Sequence, residues 1–132
     1  HMPWCVRKCP YCDFNSHAAP ADEQGGVPEA AYIAALLQDL DQDLADFPDA
    51  QAGERELVSI FIGGGTPSLI SPAGYATLFN GLRQRLCFAD DIEITLEANP
   101  DDLSSERISF LYSFASKDHR QISQVLRYKC KF

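Results

Sequence analysis

The stretch Leu57-Val58-Ser59-Ile60-Phe61-Ile62-Gly63-Gly64-Gly65-Thr66-Pro67-Ser68 decides the fold. Its first half is short, apolar and rich in β-branched residues, and it stops at glycine, which reads as a buried strand. Its second half is a glycine triplet, whose backbone N–H groups can approach a ligand closely. Ser71 and Pro72 then take the N-cap and first position of a helix, with Tyr75, Leu78, Phe79, Leu82 and Leu86 as its apolar stripe. Strand, glycine loop and helix in that order form a unit in which the helix N-terminus favours negative charge.

Working outward, Ile92-Glu93-Ile94-Thr95-Leu96-Glu97 predicts a second strand that ends at Ala98-Asn99-Pro100. Upstream, Val27-Pro28-Glu29 carries helix-start signals. Ile33, Leu36, Leu37, Leu40, Leu44 and Phe47 recur at steps of three and four, opposite Asp39, Asp41, Asp43 and Asp46, and Pro48 ends the pattern. Residues 15–26, with Pro20 and the Gly25-Gly26 pair, read as a loop. After the second strand a further helix starts at Asp102 or Ser104. Alternation of this kind predicts an α/β fold with a parallel sheet, either open or closed into a barrel. Ligands gather at the carboxyl ends of such strands, where the Gly63 loop and Glu97 both fall.

The chemistry concentrates ahead of these elements, in Cys5-Val6-Arg7-Lys8-Cys9-Pro10-Tyr11-Cys12. Three soft thiolate ligands at C-x3-C-x2-C spacing can converge on one metal centre. For an iron–sulfur cluster this leaves one iron open to a small molecule; for zinc it leaves a fourth ligand to be found. His17 is a candidate for that ligand, which would make a zinc-stapled structural module. Five cysteines, three of them in this run, do not form a disulfide framework. Trp4 and Phe14 flank the run and shield it from water. Cys87, His119 and Cys130 are assigned no role.

A net charge of -8 argues against a protein that neutralises nucleic-acid phosphates. The chain shows neither a long apolar run nor a secretory signal pattern, so no transmembrane segment is expected and the cytoplasm is the expected location. Two features of the site have plainer readings. A glycine triplet also serves as a tight strand-to-helix turn, and a single Glu at a strand end is commonly an exposed carboxylate.

With these residues laid out, the chain resembles the radical S-adenosylmethionine (SAM) enzymes. Within them it resembles the oxygen-independent coproporphyrinogen III oxidase-like proteins, through residues 1–17, 60–68 and Glu97-Ala98-Asn99-Pro100. The resemblance extends over about residues 1–108. It implies a partial radical-SAM (β/α)6-type barrel, a parallel sheet with outer helices, with the first strand and later units missing. Residues 1–111 would be the N-terminal part of the core, and residues 112–132 a basic tail unmatched to the family and read as foreign or out-of-frame sequence.

It further implies that Cys5, Cys9 and Cys12 hold a [4Fe-4S] cluster whose open iron chelates SAM, giving methionine and a 5′-deoxyadenosyl radical on reduction. Tyr11, Gly64, Gly65, Thr66 and Glu97 match the family's SAM-contacting positions, and no residue is assigned a catalytic role. Dehydrogenases of the family carry a further cysteine two residues after the third. Here that position is Phe14, which favours the haem-chaperone branch over coproporphyrinogen dehydrogenation. The implied partners are haem or porphyrin, a reductant protein for the cluster, and respiratory haem proteins as clients. Activity of this chain alone is not expected.

Overall fold

The protein is described by a computed structural model over residues 1–20, 26–48, 55–98 and 127–128. Two strand clusters and two helices make up the described part: β1 (Trp4–Cys5), β2 (His17–Ala18), α1 (Glu29–Asp46), β3 (Leu57–Ile62), α2 (Pro72–Arg83), β4 (Phe88–Ala98) and β5 (Arg127–Tyr128). A 3-10 turn, Pro67–Leu69, leads into α2.

The centre is the β3–α2–β4 unit that the opening stretch predicts. β3 and β4 run parallel, with Ser59 opposite Glu93, Ile60 opposite Ile94, Phe61 opposite Thr95 and Ile62 opposite Leu96. β4 begins earlier than the expected Ile92. The N–H of Leu57 donates to the Cys87 carbonyl at 2.7 Å, Leu57 pairs with Phe88, and the register then shifts before Ser59. The exposed Asp90-Asp91 pair masks this first segment in the sequence, because it interrupts the apolar pattern. β5 lies parallel to the end of β4, with Arg127 opposite Glu97 and Tyr128 opposite Ala98.

Both helices begin at their sequence signals, but Leu86, expected on the stripe of α2, falls past that helix's end at Arg83. Ser71 Oγ accepts from the Gly74 N–H at 3.0 Å, capping α2 ahead of Pro72. Glu29 in the first turn of α1 complements the helix dipole and also reaches the start of α2. Its carboxylate accepts from the Ser71 N–H at 2.5 Å and from Ser71 Oγ at 2.7 Å. Phe47 departs from expectation. It sits past the end of α1 with a non-helical backbone, so it leaves the apolar stripe and is 67% exposed.

The core lies between the helices and one face of the sheet. Ile33, Ile62, Ile70, Leu78, Phe79 and Leu96 are among its buried residues, and Tyr75 satisfies its hydroxyl within it by donating to the Pro67 carbonyl at 2.8 Å. Removing one such aliphatic side chain costs about 2–5 kcal/mol. β3 is not buried on both faces as its composition suggests. Ile60 and Ile62 pack on the core, whereas Val58 and Phe61 are 65% and 59% exposed. An apolar run cannot distinguish a strand covered on two faces from one whose second face borders a cavity.

Residues 15–26, expected to be a loop, contain β2. Trp4 pairs with His17 and Cys5 with Ala18, in parallel. Ahead of Cys5, where the family's first strand was expected to be missing, Met2 bridges to Gly64 in the parallel sense. The Met2 N–H donates to the Gly63 carbonyl at 2.7 Å, and the Gly65 N–H to the Met2 carbonyl at 2.6 Å. The sequence shows neither pairing, because two-residue strands have no periodicity to read. The helix expected from Asp102 or Ser104, with Asn99, Pro100 and most of the basic tail, lies outside the described residues.

Candidate functional site

The cysteine loop hangs between two pinned strand ends. The His17 N–H donates to the Pro3 carbonyl at 2.7 Å and the Ala19 N–H to the Cys5 carbonyl at 2.8 Å, closing the base of the loop. Within it the Cys12 N–H donates to the Cys9 carbonyl at 3.1 Å, placing these two cysteines on one turn. Cys5 is buried at the end of β1, Cys9 and Cys12 are part-buried, and all three are free thiols. Among the described residues no three His, Cys, Asp or Glu side chains are gathered as a metal-binding group. The donor set itself is all thiol and comes from one loop, which suits an iron–sulfur cluster, and metal binding supplies the free energy that draws such ligands together. His17 lies on β2, exposed, with its backbone committed to β1.

The glycine loop meets this base directly. The Thr66 N–H donates to the Trp4 carbonyl at 2.6 Å, and a Cβ on Gly65 would lie 2.2 Å from that same oxygen. Glycine is therefore required at 65 by close backbone approach. At 64 it is required by conformation, since φ is +112°. The Gly64 N–H donates to Glu97 Oε2 at 3.3 Å, linking the loop after β3 to the end of β4. Above this link opens a cavity of about 280 Å³ lined by His1, Phe14, Phe61, Gly63, Gly64 and Glu97.

Of the residues singled out in the sequence, the structure brings Gly64 and Glu97 to the cavity, while Gly65 and Thr66 lie behind it against β1. Thr66 is buried, and Tyr11 is 60% exposed on the cysteine loop and does not line the cavity. Phe14, expected as a shield and as the residue that marks the branch, is a wall of it.

Sequence reasoning missed four further contributors. His1 and Phe61 line the cavity, and His1 Nε2 hydrogen-bonds the Asn15 carbonyl at 2.9 Å. Tyr32, counted only as part of a helix, donates its hydroxyl to the His1 carbonyl. Its ring packs edge-on against Trp4 at 4.8 Å, and burial raises its pKa above the ordinary phenol value. Lys8 ties the loop to itself, donating to the carbonyls of Phe14 and Ser16. His1, Phe61 and Tyr32 depend on contacts between separate segments and Lys8 on the path of its own loop, and a one-dimensional pattern carries no signal for either.

This geometry has counterparts. Residues 1–115 match the model of the radical SAM superfamily. The chain belongs to the radical SAM superfamily. This radical SAM chain is 55% identical over 107 residues to the heme chaperone HemW of Haemophilus influenzae, covering 81% of the chain and 27% of the relative. It is 53% identical to HemW of Escherichia coli, covering 81% of the chain and 26% of that relative. Its fold is similar to that of coproporphyrinogen III oxidase (HemN) from Escherichia coli, described as a radical SAM enzyme. The TM-score is 0.71 at 26% identity, over 88% of this chain and 25% of HemN. The chain thus spans about a quarter of the length of the relatives it matches. Radical SAM membership implies SAM and an iron–sulfur cluster as cofactors. No helix among the described residues is long and apolar enough to cross a membrane.

Proposed function

We propose that this chain is part of a radical SAM protein of haem metabolism that binds haem and delivers it to respiratory haem proteins, acting in the cytoplasm with a separate protein as electron donor. One observation carries the choice of branch. Against two proteins of the same bacterium, identity is 53% to the chaperone HemW and 26% to the oxidase HemN. Phe14, which stands where the resemblance places a further cysteine in dehydrogenases, supports the same branch. The structural likeness to HemN keeps coproporphyrinogen dehydrogenation, the oxidative decarboxylation of propionates, as the second reading.

In this reading Cys5, Cys9 and Cys12 would hold a [4Fe-4S] cluster, which would supply the electron for reductive cleavage of SAM. The protein's own groups orient and enclose. Glu97, held by the Gly64 N–H at one oxygen, offers its carboxylate to a ribose hydroxyl or an ammonium group of SAM. Gly65 and Thr66 tie the loop to Met2 and Trp4, and Tyr11 lies within the cysteine turn. Phe14 and Phe61 give the cavity apolar walls beside His1.

The test has two stages on the intact protein. Anaerobic reconstitution with iron and sulfide is expected to give a brown product with a cluster absorption band; stoichiometric zinc without sulfide would reject both readings. Haem titration is then set beside a coproporphyrinogen turnover assay. Haem binding without turnover supports the chaperone, and turnover without haem binding selects the dehydrogenase.

A further inference from the structure

Lys8 leaves one limb of the cysteine loop, between Cys5 and Cys9, and crosses to the other, beyond Cys12. Its Nζ donates to the Phe14 carbonyl at 3.0 Å and to the Ser16 carbonyl at 2.8 Å. The acceptors sit where the loop rejoins the fold, since Ser16 is 1% exposed and the next residue, His17, begins β2. An ammonium group that meets two carbonyls forms charge-assisted hydrogen bonds, which are stronger than neutral ones. Arg7, the neighbouring cation, is exposed as Lys8 is, but has no such bond to the loop among the described residues.

We infer that Lys8 is a positioning residue of the cysteine loop, tying its two limbs together so that the thiols stay within reach of one cluster, and keeping a cation on the loop that carries the thiolates. The inference rests on the cluster reading of Cys5, Cys9 and Cys12. Two consequences follow from elementary electrostatics and from the role of groups that orient metal ligands. Without the brace the loop opens more readily and the cluster is lost faster. A thiolate-held cluster also becomes more negative on reduction, so a nearby cation favours the reduced form and raises the potential.

The intact protein is reconstituted anaerobically as wild type, Lys8→Met, Lys8→Arg and Arg7→Met, and two quantities are read: the rate of iron loss to a chelator and the midpoint potential. Lys8→Met is expected to lose iron roughly tenfold faster and to have a lower potential, while Arg7→Met stays near wild type in both. Lys8→Arg keeps a cationic donor and is expected to recover most of each. The inference is overturned if Lys8→Met matches wild type, if Arg7→Met changes as much as Lys8→Met, or if Lys8→Arg gives no recovery. A wild-type protein that takes up no iron and sulfide overturns the cluster reading and this inference together, whereas a loaded wild type with an indifferent Lys8→Met overturns this inference alone.

Discussion

The Gly64 N–H donates to Glu97 Oε2 at 3.3 Å, so a carboxylate at the end of β4 holds the glycine loop that follows β3. The two residues are 33 positions apart in the chain and adjacent in space because β3 and β4 pair in parallel, which brings both carboxyl ends to one edge. The same carboxylate thus has a structural partner on one side and the cavity on the other.

Substitution at Glu97 separates these two tasks. Glu97→Gln keeps an oxygen for the Gly64 N–H and loses the charge; Glu97→Ala loses both. With SAM as the ligand, Glu97→Ala is expected to weaken binding by about tenfold or more, the value of a hydrogen bond to a charged group, and Glu97→Gln by less. Calorimetric titration of the reconstituted protein with SAM checks this. Equal affinity of all three proteins would remove Glu97 from the binding site.

At Gly65 the expected effect is on stability. An added methyl group would sit 2.2 Å from the Trp4 carbonyl oxygen, a backbone atom that cannot turn aside as a side chain can. Gly65→Ala is therefore expected to destabilise by about 1–3 kcal/mol, as for overpacked cores. Urea denaturation monitored by Trp4 fluorescence gives the comparison.

Alkaline stability depends on Tyr32. Burial raises its pKa, so the folded protein retains the phenol proton in a range where the unfolded chain releases it. The contribution is complete below the unfolded value of about 10 and is lost as pH rises through the folded value. Tyr32→Phe removes the hydrogen bond to His1, costing about 1 kcal/mol near neutrality. The substitution should also flatten the fall in melting temperature between the two values. Parallel slopes in wild type and variant above that pH would count against this assignment.

Acid behaves in the opposite sense at Asp41. The Arg85 guanidinium makes a two-point contact with its carboxylate at 2.6 and 2.8 Å and lowers its pKa. The contribution is present above the unfolded carboxylate value of about 3.9 and is lost as pH falls through the folded one. The pair joins α1 to the segment after α2 on the exposed surface, where salt screens it. Asp41→Asn is expected to change stability little at neutral pH and to remove part of the acid-induced loss. Thermal melts between pH 2 and 5 at low and high salt measure it.

Much of this molecule is legible in one dimension. The β3–α2–β4 order, the Ser71 cap with Pro72, the start of α1 at Glu29 and the thiolate loop each rest on local rules. A strand run, a capping hydroxyl, a helical period and a ligand spacing all involve residues a few positions apart. The first segment of β4 was hidden because Asp90 and Asp91 interrupt its pattern, and Phe47 was misplaced because its stripe continues one step past the point where the backbone leaves the helix.

What the tertiary structure alone decided is how the segments meet. β2 in residues expected to be loop, Met2 against Gly64, Tyr32 under His1 and the cavity wall of Phe14 and Phe61 are contacts between groups of separate segments, and Lys8 across the cysteine turn depends on the path its loop takes. Period and propensity describe a chain's neighbours in sequence. Parallel pairing brings together groups that no local rule connects, and in this protein those groups build the site around residues the sequence had already marked.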